Sequence, residues 1–168
     1  MRIIQGDLIA LAKAGRFDVI VHGCNCHCKM GGGIARVIKV EFPAAFAADL
    51  RTRDVKPDER KLGTISFARI DLPLVEGSQS DGPSRTHTLT VVNAYTQNNY
   101  SGAKVLVDYE NGIRPAFRLI KEQFGGQMRR IGYPKIGAGL GGGDWAIIAQ
   151  IIDEELAGED HTLVELAA

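Results

Sequence analysis

The sequence predicts an α/β fold in three layers, a mixed central sheet with helices on both faces. Three observations lead there. Short apolar runs alternate with segments of helical period through most of the chain. Two glycine-rich loops each follow an apolar run and precede a helical stretch. The 168 residues are 45% hydrophobic and 24% charged, enough for one core without disulfides or structural metals. One domain over residues 1–168 is therefore expected.

The elements follow in order. Met1–Gln5 reads as a short strand, with a turn at Gly6-Asp7. Asp7 is placed to N-cap a helical stretch over Leu8–Ala14. Phe17–Gly23 holds Val19-Ile20-Val21, a buried-strand run. After Gly31-Gly32-Gly33, apolar residues at Ile34, Val37, Ile38 and Phe42 keep a helical period, and Pro43 breaks it or opens a second helix through Leu50. The polar stretch 51–62 reads as a connector, Thr64–Ile70 as a strand and Thr88–Thr96 as another. Between them, 71–85 carries Pro73, Gly77, Gly82 and Pro83 and is expected to be a mobile loop. Asp108–Phe124 reads as a helix despite Gly112 and Pro115, Arg129–Ile136 as a strand, Trp145–Leu156 as a helix capped by Asp144, and Thr162–Leu166 as a last strand. The acids from Asp153 to Glu165 are expected to form a solvated face.

Composition excludes several function classes. Lys plus Arg and Asp plus Glu both number 20, so there is no basic excess for non-specific nucleic-acid binding and no charge imbalance of the disordered kind. The N-terminus lacks the apolar core of a signal peptide, and no run approaches the ~18 apolar residues of a membrane span. A cytoplasmic protein is expected, without a membrane partner, and a monomer. The three cysteines cluster in Cys24-Asn25-Cys26-His27-Cys28, which fits a reducing compartment better than a disulfide scaffold. His22 and these residues could ligate zinc. In an extended segment, however, Cys-x-Cys-x-Cys sends its thiols to one side and no second ligand pair exists, so neither a metal nor a cofactor is expected.

Glycine is the unusual number: 20 in the chain, of which eight fall in Gly31–Gly33 and Gly137–Gly143. In open α/β sheets ligands bind outside the carboxyl ends of the strands. Glycine admits a close ligand, and main-chain N–H groups before a helix cradle an anion. Two such loops on one sheet edge could hold two adjacent phosphates. Neither matches a nucleoside-triphosphate P-loop. Gly137-x-Gly139-x-Gly141-Gly142 resembles a dinucleotide fingerprint but lies far from the first βαβ unit, where that motif belongs.

Three segments together resemble the macro domains, which bind ADP-ribose: Gln5-Gly6-Asp7-Leu8, then Val21–Asn25 with Gly31–Ala35, then Pro134–Trp145. His22-x-Cys24-Asn25-Cys26 before a glycine triplet is most similar to the branch that includes ADP-ribose-1″-phosphate phosphatases. A sister branch removes ADP-ribose from protein glutamates with a Lys and an Asp. At the aligned positions this chain has Gln97 and Gly141. The resemblance implies a macro-domain fold and hydrolysis of ADP-ribose-1″-phosphate. A non-catalytic reader and an ADP-ribosyl hydrolase for protein or nucleic acid are the alternatives.

Carried over by residue, the resemblance implies that Asp7 accepts from the adenine amino group beside Leu8, and that Asn25 meets the distal ribose next to Cys24 and Thr96. Gly31, Gly32, Gly33 and Ile34 would line one side of the diphosphate, and Gly137, Ala138, Gly139, Leu140, Gly141 and Gly142 the other. Candidate catalytic groups are Asn25 for orientation and Asp108 as base, with His27 as the other candidate. His22 reads better as a core histidine, Trp145 as a core anchor, and Tyr100 as a cover for the distal ribose.

Overall fold

The computed structural model describes residues 1–74, 85–102, 104 and 106–167. The strands are β1 Arg2–Gln5, β2 Val19–Asn25, β3 Ile65–Pro73, β4 Thr86–Gln97, β5 Arg130–Tyr133 and β6 Asp160–Glu165. The helices are α1 Leu8–Lys13, α2 Gly33–Glu41, α3 Pro43–Leu50, α4 Arg114–Phe124 and α5 Trp145–Glu155. The sheet order is β1-β6-β5-β2-β4-β3. Five strands run parallel, and β3 alone is antiparallel, against β4. The expected mixed sheet is present.

Both faces are covered. On one, α4 and α5 bury Phe117, Ile120, Phe124, Ile148 and Ile152 against Val19, Val21 and Val92. On the other, α1 to α3 bury Leu8, Ala12, Ile38 and Ala45 against Ile20, Leu89 and Val91. Alternation along β2 explains the division: Val19 and Val21 point one way and Ile20 the other.

Several boundaries differ from the expectation. β3 runs on through 71–73, so the loop expected at 71–85 begins later, and its residues 75–84 lie outside the described residues. The helix expected over Asp108–Phe124 starts as a wide turn, Tyr109–Ile113, in which Ile113 N–H reaches Asp108 O at 2.8 Å. Gly112 lies against the β4 backbone there: a Cβ would stand 2.4 Å from Thr96 O. β5 stops at Tyr133 and leaves Pro134–Ile136 to the following loop. The acids near the C-terminus are paired rather than simply solvated. Glu154 and Glu155 bind Arg114, Asp160 binds Arg2, and Glu165 binds Lys135.

His22 is a core residue, as expected. It is fully buried, and its Nε2 meets Asn93 Oδ1 at 2.7 Å. Asn93 donates in turn to Ala45 O and Ser66 Oγ, which pins α3 to the sheet. Burial pushes the His22 imidazole down to about 4. Between its unfolded value near ~6.5 and about 4, the unfolded chain takes up a proton that the native imidazole refuses, so stability falls with pH across that window. Urea unfolding at pH 7 and pH 4 is expected to show about 3 kcal/mol lost through this group. In His22→Gln, less stable at pH 7, that part of the pH dependence should be missing.

Candidate functional site

All five parallel strands end on one edge of the sheet, and a groove crosses those ends from β1 to β4. At a strand spacing of ~4.8 Å, the crossing is roughly 19 Å long, which suits an elongated ligand. It has three compartments that share walls. The proximal one, about 780 Å³, is lined by Asp7, Leu8, Gly33, Ile34, Pro134, Ala138, Gly139 and Leu166 among others. The middle one, about 200 Å³, lies between Gly32–Ala35 and Ile136–Gly141. The distal one, about 380 Å³, is lined by Cys24, Asn25, Lys29, Gly31, Gly32, Asp49, Gln97, Tyr100 and Leu140.

The two glycine loops form the facing walls. Gly32 caps α2 with no side-chain hydrogen bond, so the first-turn N–H groups of Gly33 and Ile34 keep their donors. Opposite, the N–H groups of Gly139, Leu140 and Gly141 donate to no described residue. Leu140 bridges the walls: its Cδ1 lies 2.9 Å from where a Cβ on Gly32 would stand, and the residue is 76% exposed.

The glycines are required for different reasons. Gly33, Gly137 and Gly142 have φ of +53°, +72° and +66°. A Cβ on Gly141 would stand 2.6 Å from Gly137 O, and one on Gly143 2.5 Å from Val107 Cγ1. Position 141 therefore has no room for a side chain. Gly31 and Gly139 differ from every other described glycine. Neither has a left-handed φ, and neither has an atom within 4 Å of the Cβ position. Both line the groove.

Asp7 is a helix cap that also borders the groove. Its Oδ1 accepts from Ile9 N–H and Ala10 N–H, as a helix cap, and the exposed carboxylate borders the proximal compartment. Asn25 folds its own loop: Oδ1 accepts from His27 N–H at 2.9 Å, and Nδ2 donates to Lys29 O at 2.8 Å. One Nδ2 hydrogen remains for a ligand. Cys24 is buried beside His22, and burial pushes its thiol up, so it stays protonated.

Other expected residues lie elsewhere. Asp108 does not line the groove; both its carboxylate oxygens accept from Asn111, because it caps the turn that follows β4. His27 is not part of the lining either. Its ring meets Asn99 Oδ1 at 3.1 Å and packs edge-on against Tyr100, and only Tyr100 borders the cavity. Thr96 is fully buried, with its Oγ1 under Gly23, and Gly142 makes a turn outside the lining. Trp145 packs on the core, as expected.

The sequence reading missed Lys29 and Asp49, which both line the distal compartment. Asp49 was detectable as a lone acid on the face of α3 that carries Ala45, four residues earlier. Lys29 gave no signal beyond its place before the glycine triplet.

Comparison with known proteins fits this geometry. No family model matches the chain. An uncharacterised 17.5 kDa protein of Enterobacteria phage T4 is 31% identical over 156 residues, 91% of this chain and 88% of that protein. The ADP-ribose 1″-phosphate phosphatase of Aspergillus clavatus is 26% identical over 187 residues, covering 95% of this chain and 91% of that enzyme. The macrodomain of Mycobacterium tuberculosis DarG superposes with a TM-score of 0.65 at 23% identity, over 99% of this chain and 97% of that one.

The chain belongs to the macro-domain family. In this macro domain both groove walls carry unpaired donors, and two of the groove's glycines answer to no protein neighbour. No helix of the described macro domain is long and apolar enough to cross a membrane.

The packing separates the loop glycines by their effect on stability. Gly139→Ala is expected to leave the macro domain as stable, or to raise its stability by up to ~1 kcal/mol. Gly141→Ala is expected to cost about 1–3 kcal/mol. Urea titration of the two variants beside the wild type gives both values.

Proposed function

We propose that the groove binds ADP-ribose and that the protein hydrolyses ADP-ribose 1″-phosphate to ADP-ribose and phosphate. The observation that carries this reading is the pair of facing loops, each offering main-chain N–H groups with no described acceptor. A diphosphate supplies the acceptors that such donors lack. Gly31 and Gly139 fit the same reading, since a ligand lying close to the backbone is a reason for glycine where the protein has none.

The ends of the groove suit the ends of the molecule. Asp7 presents a carboxylate to the adenine amino group, beside the apolar side chains of Leu8 and Ile34. The distal compartment is more polar, with Asn25, Gln97 and Tyr100 around the second ribose. Lys29 contributes the one ammonium among the described residues of that lining. Phosphoryl transfer relies on positioning and on stabilising charge over the phosphoryl oxygens. Asn25 would orient the ribose, and Lys29 would neutralise the phosphoryl group. The phosphatase named among the relatives supports this choice of reaction. Gln97 and the crowded Gly141 count against the glutamate-deconjugating chemistry of the sister branch.

The test has two parts. Calorimetry is expected to show ADP-ribose binding, weakened about ten-fold or more in Gly139→Val, whose side chain enters the middle compartment. Phosphate release from ADP-ribose 1″-phosphate is expected in the wild type and reduced in Asn25→Ala. Binding without phosphate release would leave a reader of ADP-ribose, and no binding would sink the reading altogether.

A further inference from the structure

Beneath the distal compartment lies a cluster of buried charge for which the groove, as described so far, has no use. Asp49 and Lys61 are 0% and 1% exposed, and Lys61 Nζ stands 3.6 Å from Asp49 Oδ1. The Tyr95 hydroxyl donates to the same oxygen at 2.9 Å. Burial pushes the Tyr95 phenol up, so it remains a donor at neutral pH. The Lys61 ammonium also packs 4.4 Å from the Tyr95 ring and 3.2 Å from Cys28 Sγ. One oxygen of the carboxylate is thus held by a hydrogen bond and an ion pair, which fixes the orientation of the whole group.

The other oxygen is left over. Asp49 Oδ2 is buried and has no hydrogen-bond partner among the described residues. Leaving a buried acceptor unpaired is costly, the more so for a carboxylate. Asp49 borders the distal compartment, and it is the one carboxylate among the described residues that line the distal or middle part of the groove. The compartment that Asp49 borders is where a further donor for Oδ2 can stand, and a carboxylate oxygen accepts only from a donor. A ribose hydroxyl is such a donor, whereas a fully ionised phosphate is not.

We propose that Asp49 is the specificity-determining residue of the distal compartment, with Oδ2 accepting a hydrogen bond from a hydroxyl of the second ribose. This rests on the ADP-ribose reading of the groove and deepens it. The phosphates are gripped by main-chain donors that any nucleoside diphosphate could satisfy. Asp49 adds an acceptor that only a ligand carrying a further polyol can use. Tyr95 and Lys61 act through Asp49 as positioning residues.

The experiment compares ADP-ribose with ADP, which lacks the distal ribose, by calorimetry on the wild type and Asp49→Asn. The asparagine keeps the volume, turns its carbonyl to Tyr95 and Lys61, and presents N–H donors to the cavity. Wild type is expected to bind ADP-ribose more tightly than ADP. In the variant, ADP affinity should stay within about two-fold, while ADP-ribose affinity should fall about ten-fold or more, as for loss of a charged hydrogen bond. Equal affinities for the two compounds in the wild type, an unchanged ADP-ribose affinity in the variant, or an equal loss for both compounds would each overturn the role of Asp49. Binding of neither compound by the wild type would instead overturn the reading of the groove. Should Asp49→Asn not fold, the double variant Asp49→Asn/Lys61→Met leaves no buried charge unpaired and is judged by the same comparison.

Discussion

β2 runs between β4 and β5 and parallel to both, hydrogen-bonded along its two edges and buried on its two faces. In that position the strand has little freedom: slipping by one residue would turn Val19, Ile20 and Val21 to the wrong cores. The register that the core enforces also aligns the carboxyl ends of the three strands. Asn25 lies beside Gln97, and Tyr133 leads into the second glycine loop close by. The groove is a consequence of that alignment. Parallel strands must return by crossovers over the faces, so their carboxyl ends share one edge, where the loops that leave them can meet.

Charge neutrality acquires a mechanical sense here. The chain has 20 charges of each sign, and Lys29 is the one ammonium among the described residues lining the distal compartment, so most of the donors on the groove walls are main-chain N–H groups. Main-chain donors carry no net charge, and two loops can present several of them without altering the balance. The arrangement requires backbone on the groove walls with no side chains in between. Glycine meets that need at Gly31 and Gly139, and it lets the loop double back on itself at Gly137 and Gly141. Ligand approach and loop folding thus draw on the same residue type for separable reasons.

Polar groups inside the fold are arranged to prevent alternatives. His22, Asn93 and Ala45 O form one chain of contacts from β2 through β4 to α3. Asp49, further along α3, reaches Tyr95 two residues beyond Asn93. Together these bonds set the rotation and height of a short Ala-rich helix whose apolar face alone would allow several seatings. A buried ion pair such as Asp49–Lys61 is poor evidence for stability, since desolvation offsets its attraction. Its retention is easier to understand where one carboxylate oxygen has work to do at a cavity.

Much of this was legible in the amino-acid order. The α/β class, both glycine loops, the Asp7 cap and the burial of His22 follow from local pattern: hydrophobic period, cap chemistry, and a polar residue ending an apolar strand. Local pattern was weaker at boundaries. The strand beyond Ile70 needs its partner β4 to be recognised, and the turn at Tyr109–Ile113 needs the β4 backbone beside Gly112. For the site, the sequence by itself determined which loops could form walls, because glycine spacing is a backbone property. Only the tertiary structure decided which side chains stand between them. Asp108 and His27 are near the right loops in sequence, yet Asn111 engages the one, Asn99 and Tyr100 engage the other, and neither lines the groove. Asp49 sits on a helix 24 residues from Asn25 and reaches the same compartment. Direction and proximity across the fold depend on helix seating and side-chain packing, which the order of residues along the chain encodes only through the whole fold.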